Sequence, residues 1–221
     1  MKKTMCLVVT AAIALGLLGG CAGGGDEFEA KTYASGETPV SGVQIDVRDR
    51  EIAVSLSSDG QVHLDYFESE KEGYDVAVSE EGVLTMAAAS RKEWTDYIGA
   101  KASAGVRKIS LQIPDALLSA LELSTTNAGL SLPALTVTDH ISLFNNGGKI
   151  TFDTLDPGNA LTVENKNAAI SGAVAGSPED YAISCTIKKG ESDLPSAGGG
   201  GNRTLSVTNN NGDIEIEFVD K

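Results

Sequence analysis

Hydrophobic and polar residues alternate with a period of two from residue 43 onward. Turn residues such as Asp59-Gly60 and Glu81-Gly82 separate the alternating segments. In the first half these segments are 43–47, 52–56, 62–66, 74–78 and 84–88. This period, with a turn about every ten residues, predicts half-buried β-strands. The nearest approach to helical periodicity is 114–123, which we interpret as a short turn into the next strand.

The second half contains an internal repeat of about 20 residues. Each copy starts with two apolar residues one position apart, and a further apolar residue follows nine positions after the start. The copies start at Leu121, Ile141, Leu161 and Leu205, with a partial copy at Tyr181. Turns rich in Asn, Thr and Gly join the paired segments. A fixed repeat of this length predicts stacked rungs that share one core.

Two irregularities interrupt the repeat. Gly172 stands where the other copies have an apolar residue, and an insert at 188–204, with glycines at 198–201, precedes the last copy. The fold predicted is all-β, a single-stranded β-helix-like solenoid with rungs of about 20 residues. A β-sandwich of hairpins is the alternative, because strands about ten residues apart also suit that fold.

Two segments of the chain resemble a known family. The first is Ile109-Ser-Leu111-Gln-Ile113-Pro114, which leads into the first rung, and the second is the closing Asn211-Gly212-Asp213-Ile214-Glu215-Ile216. Together with the Asn/Gly turns, they resemble the bacterial putative-adhesin domain, a β-strand-repeat domain of envelope lipoproteins and membrane-anchored proteins. The resemblance covers 43–221 and implies a β-helix-like solenoid. The family's name rests on fold analogy, which is a weak basis for a function.

The N-terminus predicts export and lipidation. Lys2 and Lys3 precede a short apolar run that ends in Leu18-Gly19-Gly20-Cys21. The run is shorter than a membrane span and is typical of a signal peptide. Its end resembles a bacterial lipobox, which implies that 1–20 are removed and that Cys21 carries lipid. We interpret 21–42 as the lipidated cysteine and a flexible tether, and 43–221 as the folded domain.

Charge and cysteine content narrow the function. The chain has 221 residues with 17 basic and 31 acidic side chains, a net charge of −14. Removal of 1–20 would make this −16. Such a charge argues against nucleic acid and against anionic lipid bound through a basic face.

After processing, Cys185 would be the one cysteine besides Cys21, so we expect no internal disulfide. Its alternation with Ile183 and Ile187 predicts a core position.

No catalytic, metal or cofactor motif stands out. The sequence lacks a Gly-x-Ser-x-Gly elbow, a P-loop and a dinucleotide-binding glycine pattern. His63 and His140 have no partner at metal-ligand spacing, and both are interpreted as surface residues. The acids Asp153, Asp156, Glu164, Glu179 and Asp180 are interpreted as scattered over the rungs. We therefore predict a non-enzymatic protein without a cofactor.

Two groups of residues are candidates for interaction. The first is one amide from each turn: Asn127, Asn146, Asn167 and Asn210. Stacked amides would suit glycans or a strand edge, but their simpler interpretation, which we favour, is that they only satisfy the turn backbones. The second is Trp94 with Tyr97, residue types that are enriched at binding hot spots. Trp94 could instead cap the open end of the core.

These observations predict a lipid-anchored, adhesin-like interaction module on the extracytoplasmic side of a bacterial envelope. Its expected partners are membrane lipid through Cys21 and either an envelope protein or a wall glycan. An accessory of envelope-stress sensing, acting through a membrane protein, is an alternative. A carbohydrate-active solenoid enzyme is a third.

Overall fold

The computed structural model describes residues 27–90 and 102–220. Strands dominate these ranges, and 3-10 turns lie at Ala104–Arg107 and Pro178–Asp180. The strands are β1 Glu29–Ala34, β2 Gly42–Asp46, β3 Glu51–Leu56, β4 His63–Glu68, β5 Glu72–Val78, β6 Val83–Ser90, β7 Lys108–Ile113, β8 Ala120–Thr125, β9 Leu130–Leu132, β10 Leu135–Val137, β11 His140–Asn145, β12 Ile150–Pro157, β13 Ala160–Asn165, β14 Ile170–Ala175, β15 Tyr181–Lys189, β16 Ala197–Gly199, β17 Arg203–Asn211 and β18 Ile214–Val219. All five strands predicted for the first half are present, and 114–119 is a turn.

The strands form two nine-stranded sheets. Sheet 1 has the order β1-β4-β7-β3-β9-β12-β14-β18, with β10 also paired to β12. Sheet 2 has the order β16-β15-β17-β13-β11-β8-β2-β6-β5. Most rungs place one strand in each sheet, and the buried side chains of both sheets form a single core. With neighbouring strands about 4.8 Å apart, the eight-strand path of sheet 1 is about 34 Å long.

Equivalent positions of the repeat stack directly on one another. In sheet 2, Leu161 lies between Ile141 and Leu205, in parallel register. In sheet 1, Ile170 lies between Ile150 and Ile214. These residues are all buried. The predicted all-β solenoid with rungs of about 20 residues is therefore confirmed, and its parallel stacking excludes a sandwich of hairpins for this half.

The order of the rungs in space differs from their order in the chain. The rung of β2 and β3 lies between the rung of β6 and β7 and the rung of β8 and β9. At the other end, β17 pairs with β13 on one side and with β15 on the other. The partial copy at Tyr181 therefore stacks on the last copy and not on the third. Equal spacing in the sequence does not determine which copy is the neighbour.

The first end of the solenoid departs from a single-stranded helix. Here β1, β4 and β7 pair antiparallel in sheet 1, and β5 and β6 do so in sheet 2. Strand β1 lies inside 21–42, so the prediction of a flexible tether is wrong for Glu29–Ala34. Tyr33 is the residue of this strand that packs against the core. An edge strand that buries so little carries almost no periodic signal in its sequence.

A buried ion pair connects strand β5 to the turn between β2 and β3. Arg50, in the turn between β2 and β3, is 4% exposed and pairs with Glu72 of β5. The Tyr74 ring lies 6.0 Å from the Arg50 guanidinium, and the Tyr66 ring meets Tyr74 edge-on.

The second end is formed by the glycine-rich insert, which is ordered. Strand β16 pairs antiparallel with β15, and Gly199 has a φ of +72°. A Cβ at Gly199 would clash with the Tyr181 carbonyl, and one at Gly201 would clash with Asp180. Glycines are therefore required for close backbone packing, and the interpretation of 198–201 as a linker is wrong. Leu194 of the same insert is buried in the core.

Candidate functional site: the turn corner

The turns that follow β8, β11, β13 and β17 stack into one edge of the solenoid, which we call the corner. The register of these strands aligns Thr125, Asn145, Asn165 and Asn209 in a first column, and each of them is 0% exposed. The Nδ2 atoms of Asn145, Asn165 and Asn209 donate to the carbonyls of Ala128, Gly148 and Ala168, at 2.7, 2.9 and 2.9 Å. The first column therefore satisfies the turn backbones of neighbouring rungs and is closed to ligands.

Two further columns run parallel to the first, displaced by one and two residues along the chain. Extension of the strand registers past the first column gives a second column of Arg48, Thr126, Asn146, Lys166, Asn210 and Lys188. The third consists of Asp49, Asn127, Gly147, Asn167, Asn211 and Lys189. Arg48 and Asp49 lie just beyond β2, where Val47 donates to the Ser124 carbonyl and the Asp49 amide donates to Thr126 Oγ1.

The third column is bonded to itself and to its neighbours. Asn127 Nδ2 donates to Asp49 Oδ1 at 2.8 Å, and Asn211 Nδ2 donates to Asn167 Oδ1 at 2.9 Å. Asn167 Nδ2 donates to the Asn146 carbonyl at 2.8 Å. Two of the four predicted amides, Asn127 and Asn167, therefore already have partners within the protein.

The other two predicted amides, Asn146 and Asn210, have side chains available for binding. Both are half-buried members of the second column. Neither side chain forms a hydrogen bond with another described residue. They flank Lys166 on either side, one strand spacing away. The predicted set thus mixed two columns, because it took one amide from each turn without regard to strand register.

An aromatic residue outside the predicted set adjoins the second column. Phe144 lies two residues before Asn146 on the outer face of β11 and is half-buried. The Nζ atom of Lys166 lies 5.2 Å from the centre of the Phe144 ring. Counting five residues from the start of each repeat finds Thr126, Asn146, Lys166 and Asn210 in the sequence. Arg48 could not be found in this way, because it belongs to no copy of the repeat.

Three predicted site residues lie outside the described residues. They are Cys21, Trp94 and Tyr97. Their roles in lipid attachment and interaction stay predictions. The predicted core position of Cys185 is confirmed, since its side chain is buried, with Sγ 3.4 Å from Ser192 Oγ.

His140 is less isolated than the sequence indicated. Its Nε2 lies 3.1 Å from Glu122 Oε1, and its Nδ1 lies 3.2 Å from Asp139 Oδ2. The hydrogen bond with Glu122 raises the pKa of His140, and Asp139 adds to this effect, whereas partial burial opposes it. His63 is likewise paired, with Asp59 at 3.0 Å.

The structure brings together two of the acids that were interpreted as scattered. Asp156 and Asp180 both pair with Arg203, at 3.3 and 3.5 Å. The guanidinium of Arg203 also lies 4.3 Å from the centre of the Tyr181 ring, and the Tyr181 hydroxyl donates to the Ala175 carbonyl. Because the Arg203 side chain is only 13% exposed and engages a fully buried ring, this cluster fastens the second end of the core.

In 27–90 and 102–220, no group of three His, Cys, Asp or Glu side chains could hold a metal ion. The same ranges contain no helix with the length and apolar character needed to cross a membrane. A groove of about 350 Å³ beside β1 and β4 is lined by Glu27, Glu29, Lys31, Glu68, Ser69 and Glu70.

Comparison with known proteins identifies a family and a fold. The Toastrack DUF4097 family model matches residues 40–221. No curated protein sequence is significantly similar to this chain. A crystal structure of a putative cell adhesion protein from Clostridium sporogenes has a TM-score of 0.61 at 12% identity, covering 88% of this chain and 100% of that one. This similarity shows the fold alone.

A second crystal structure is more distant. It is a putative adhesin from Bacteroides fragilis, with 13% identity over 86% of this chain and 97% of that one. Its TM-score of 0.29 carries no argument about fold or function.

Proposed function

This chain belongs to the Toastrack DUF4097 family, and we propose that it is a lipid-anchored, non-enzymatic, adhesin-like interaction module of the bacterial cell envelope. The observation that carries the proposal is the second column of the corner. It presents the amides of Asn146 and Asn210, which form no hydrogen bond with another described residue, and the cations of Arg48, Lys166 and Lys188, alongside turns that the buried first column holds in place. The cell adhesion name of the Clostridium sporogenes protein supports the same role.

The anchor would attach to the first end of the solenoid. If Cys21 carries lipid, only residues 22–28 separate it from β1. Seven residues span at most about 25 Å when fully extended. The folded domain would therefore stand close to the membrane on its β1 end, and β18, at the other edge of sheet 1, would lie about 34 Å farther along the stack.

Arg203, Asp156 and Asp180 combine an arginine with acids, as some polysaccharide-cleaving sites do. Their mutual pairing and the contact of Arg203 with Tyr181 favour a structural role. We therefore propose that the module binds its partner and leaves it chemically unchanged.

Membrane fractionation with a matched pair of cysteine variants tests the anchor. Cys21→Ala should release the protein from the membrane or block its processing. Cys6→Ala, in the segment predicted to be removed, should leave the protein in the membrane fraction. Equal fractionation of Cys21→Ala and the unaltered protein would refute the lipid anchor.

Crosslinking in intact cells, followed by mass spectrometry, tests the interaction. Asn146→Ala/Asn210→Ala should lose the crosslinked partner, because these side chains have no bonding role within the described fold. Asn127→Ala, in the self-bonded third column, is the matched control and should keep the partner. Retention by all variants would show that the corner is not the interaction surface.

A further inference from the structure

The second column is a cationic strip on an acidic protein. Three of its six members are Arg48, Lys166 and Lys188, and none of the six is acidic. Arg48, Lys166 and Lys188 form no ion pair with a described carboxylate. Arg48 and Lys188 are exposed, and Lys166 is half-buried against the Phe144 ring. A surface cation that the fold does not neutralise is available to an anionic ligand.

The strip has a fixed spacing along the solenoid. Its members follow one another at one strand spacing, about 4.8 Å, which is close to the length of one pyranose residue in an extended chain. The backbone of Lys166 is therefore about 14 Å from that of Arg48 and about 10 Å from that of Lys188. The positions between the cations are Thr126, Asn146 and Asn210, which donate to and accept from hydroxyl groups.

The neighbouring carboxylates lie to the sides of the strip. Asp46 and Glu164 are in the row that contains Phe144, two residues back along their strands and so about 7 Å from the column. Asp46 already accepts a hydrogen bond from Ser124 Oγ, and Asp49, in the third column, accepts one from Asn127 Nδ2. A linear ligand along the second column would therefore meet the cations at closer range than these acids.

We propose that the second column, together with Phe144, binds an extended acidic polysaccharide that runs along the solenoid axis. The cations pair with its carboxylates, Asn146 and Asn210 bind its hydroxyls, and the Phe144 ring packs against the apolar face of a sugar. The net charge of −14 opposes such a ligand at long range, but salt screens that repulsion beyond about 10 Å. This inference deepens the proposed function by naming the ligand class of the same corner.

Binding of the full-length, detergent-extracted protein to polygalacturonate, hyaluronate and neutral dextran tests the proposal. Affinity electrophoresis at about 0.1 M salt, where the long-range repulsion is screened, would measure each dissociation constant. We expect at least one acidic polymer to bind, more weakly as salt is added, and dextran to bind at least about ten-fold more weakly, since the ion pairs would be missing. Binding to neither acidic polymer, or equal binding to dextran, would overturn the proposal.

Charge-matched variants separate a specific site from general attraction. Lys166→Gln/Lys188→Gln should weaken acidic-polymer binding about ten-fold. Lys31→Gln/Lys108→Gln removes the same charge from sheet 1 and should leave binding unchanged. Phe144→Ala should weaken binding without altering its salt dependence. An equal loss in both lysine pairs would overturn the proposal. If polymer binding fails while Cys21-dependent anchoring and Asn146-dependent crosslinking persist, only the ligand class is wrong.

Discussion

Asn165 Nδ2 donates a hydrogen bond of 2.9 Å to the carbonyl of Gly148, which lies in the turn of the preceding rung. Asn165 Oδ1 in turn accepts from the Lys166 amide at 2.8 Å. One buried amide therefore satisfies a backbone acceptor of one rung and a backbone donor of its own. Asn145 and Asn209 hold their neighbours through the same donor bond.

Replacement of this amide should cost stability. Asn165→Ala would leave the Gly148 carbonyl without this donor, whereas the Lys166 amide would keep its hydrogen bond to the Asn145 carbonyl, so we expect a loss of about 1–2 kcal/mol in the free energy of unfolding. Urea denaturation monitored by circular dichroism measures it. Asn167 is exposed in the third column, and Asn167→Ala should change the free energy of unfolding by less than about 1 kcal/mol. Equal midpoints for the two variants would contradict the structural role of the first column.

The absence of a side chain at Gly172 makes room for Phe152. A Cβ at Gly172 would clash with the Phe152 ring, and the pairing of β12 with β14 shifts register between Thr151 and Thr154. We expect Gly172→Ala to destabilise the protein by about 1–3 kcal/mol through overpacking.

A double-variant cycle by thermal unfolding checks the cause. Phe152→Leu should relieve the clash with the ring but not the one with the Phe152 carbonyl, so the double variant should lose less than the sum of the two single losses while staying less stable than Phe152→Leu alone. Gly105→Ala, where an added Cβ meets open space, is the control and should be close to neutral. Additive losses would show that the two positions do not share this space.

Removal of the buried guanidinium of Arg50 should loosen the first end of the solenoid. Arg50→Met takes away the charge partner of Glu72, and we expect a loss of about 3 kcal/mol. Arg50→Met/Glu72→Gln should lose less, because the carboxylate charge is also gone. Lys108→Met breaks an exposed pair with Glu51 at 3.7 Å and should cost at most about 1 kcal/mol. Denaturation by guanidinium chloride would measure the losses. Equal losses for Arg50→Met and Lys108→Met would exclude a buried pair between Arg50 and Glu72.

The pKa of His140 should depend on Glu122. Since the folded pKa of His140 is raised above its ordinary value, the stabilisation by charged His140 is complete below about pH 6.5 and disappears as the pH rises through the folded pKa. Glu122→Gln should lower the pKa of His140 in an NMR titration of its ring protons. Glu164→Gln removes a carboxylate that makes no hydrogen bond to His140 and should leave the titration unchanged. Identical curves for both variants would rule out Glu122 as the main cause.

Features that depend on neighbouring residues could be predicted from the sequence, whereas features that depend on contacts between distant strands could not. Alternation such as that of Leu121 and Leu123 is local, so the strands and the repeat were readable. The pairing of Gln44 with Glu122 joins residues 78 positions apart, and nothing in either strand specifies it. Strand β1 escaped prediction because an edge strand buries too few side chains to give a period. The stacking of the turns follows from the repeat, but the columns of the corner depend on the register between strands.

The threading of the chain restricts how this solenoid can change length. Near each end, a rung lies between two others that are not its neighbours on both sides in the chain. At the first end this is the rung of β2 and β3, and at the second end it is the rung that contains β17. A unit copied after β18 could not continue the stack from its own rung in sheet 2, because β15 already pairs with the outer side of β17. A 20-residue unit inserted after residue 159 would find partners in register on both sides. We therefore expect a duplication in the middle of the stack to preserve the register, with each added copy lengthening the corner by one position per column.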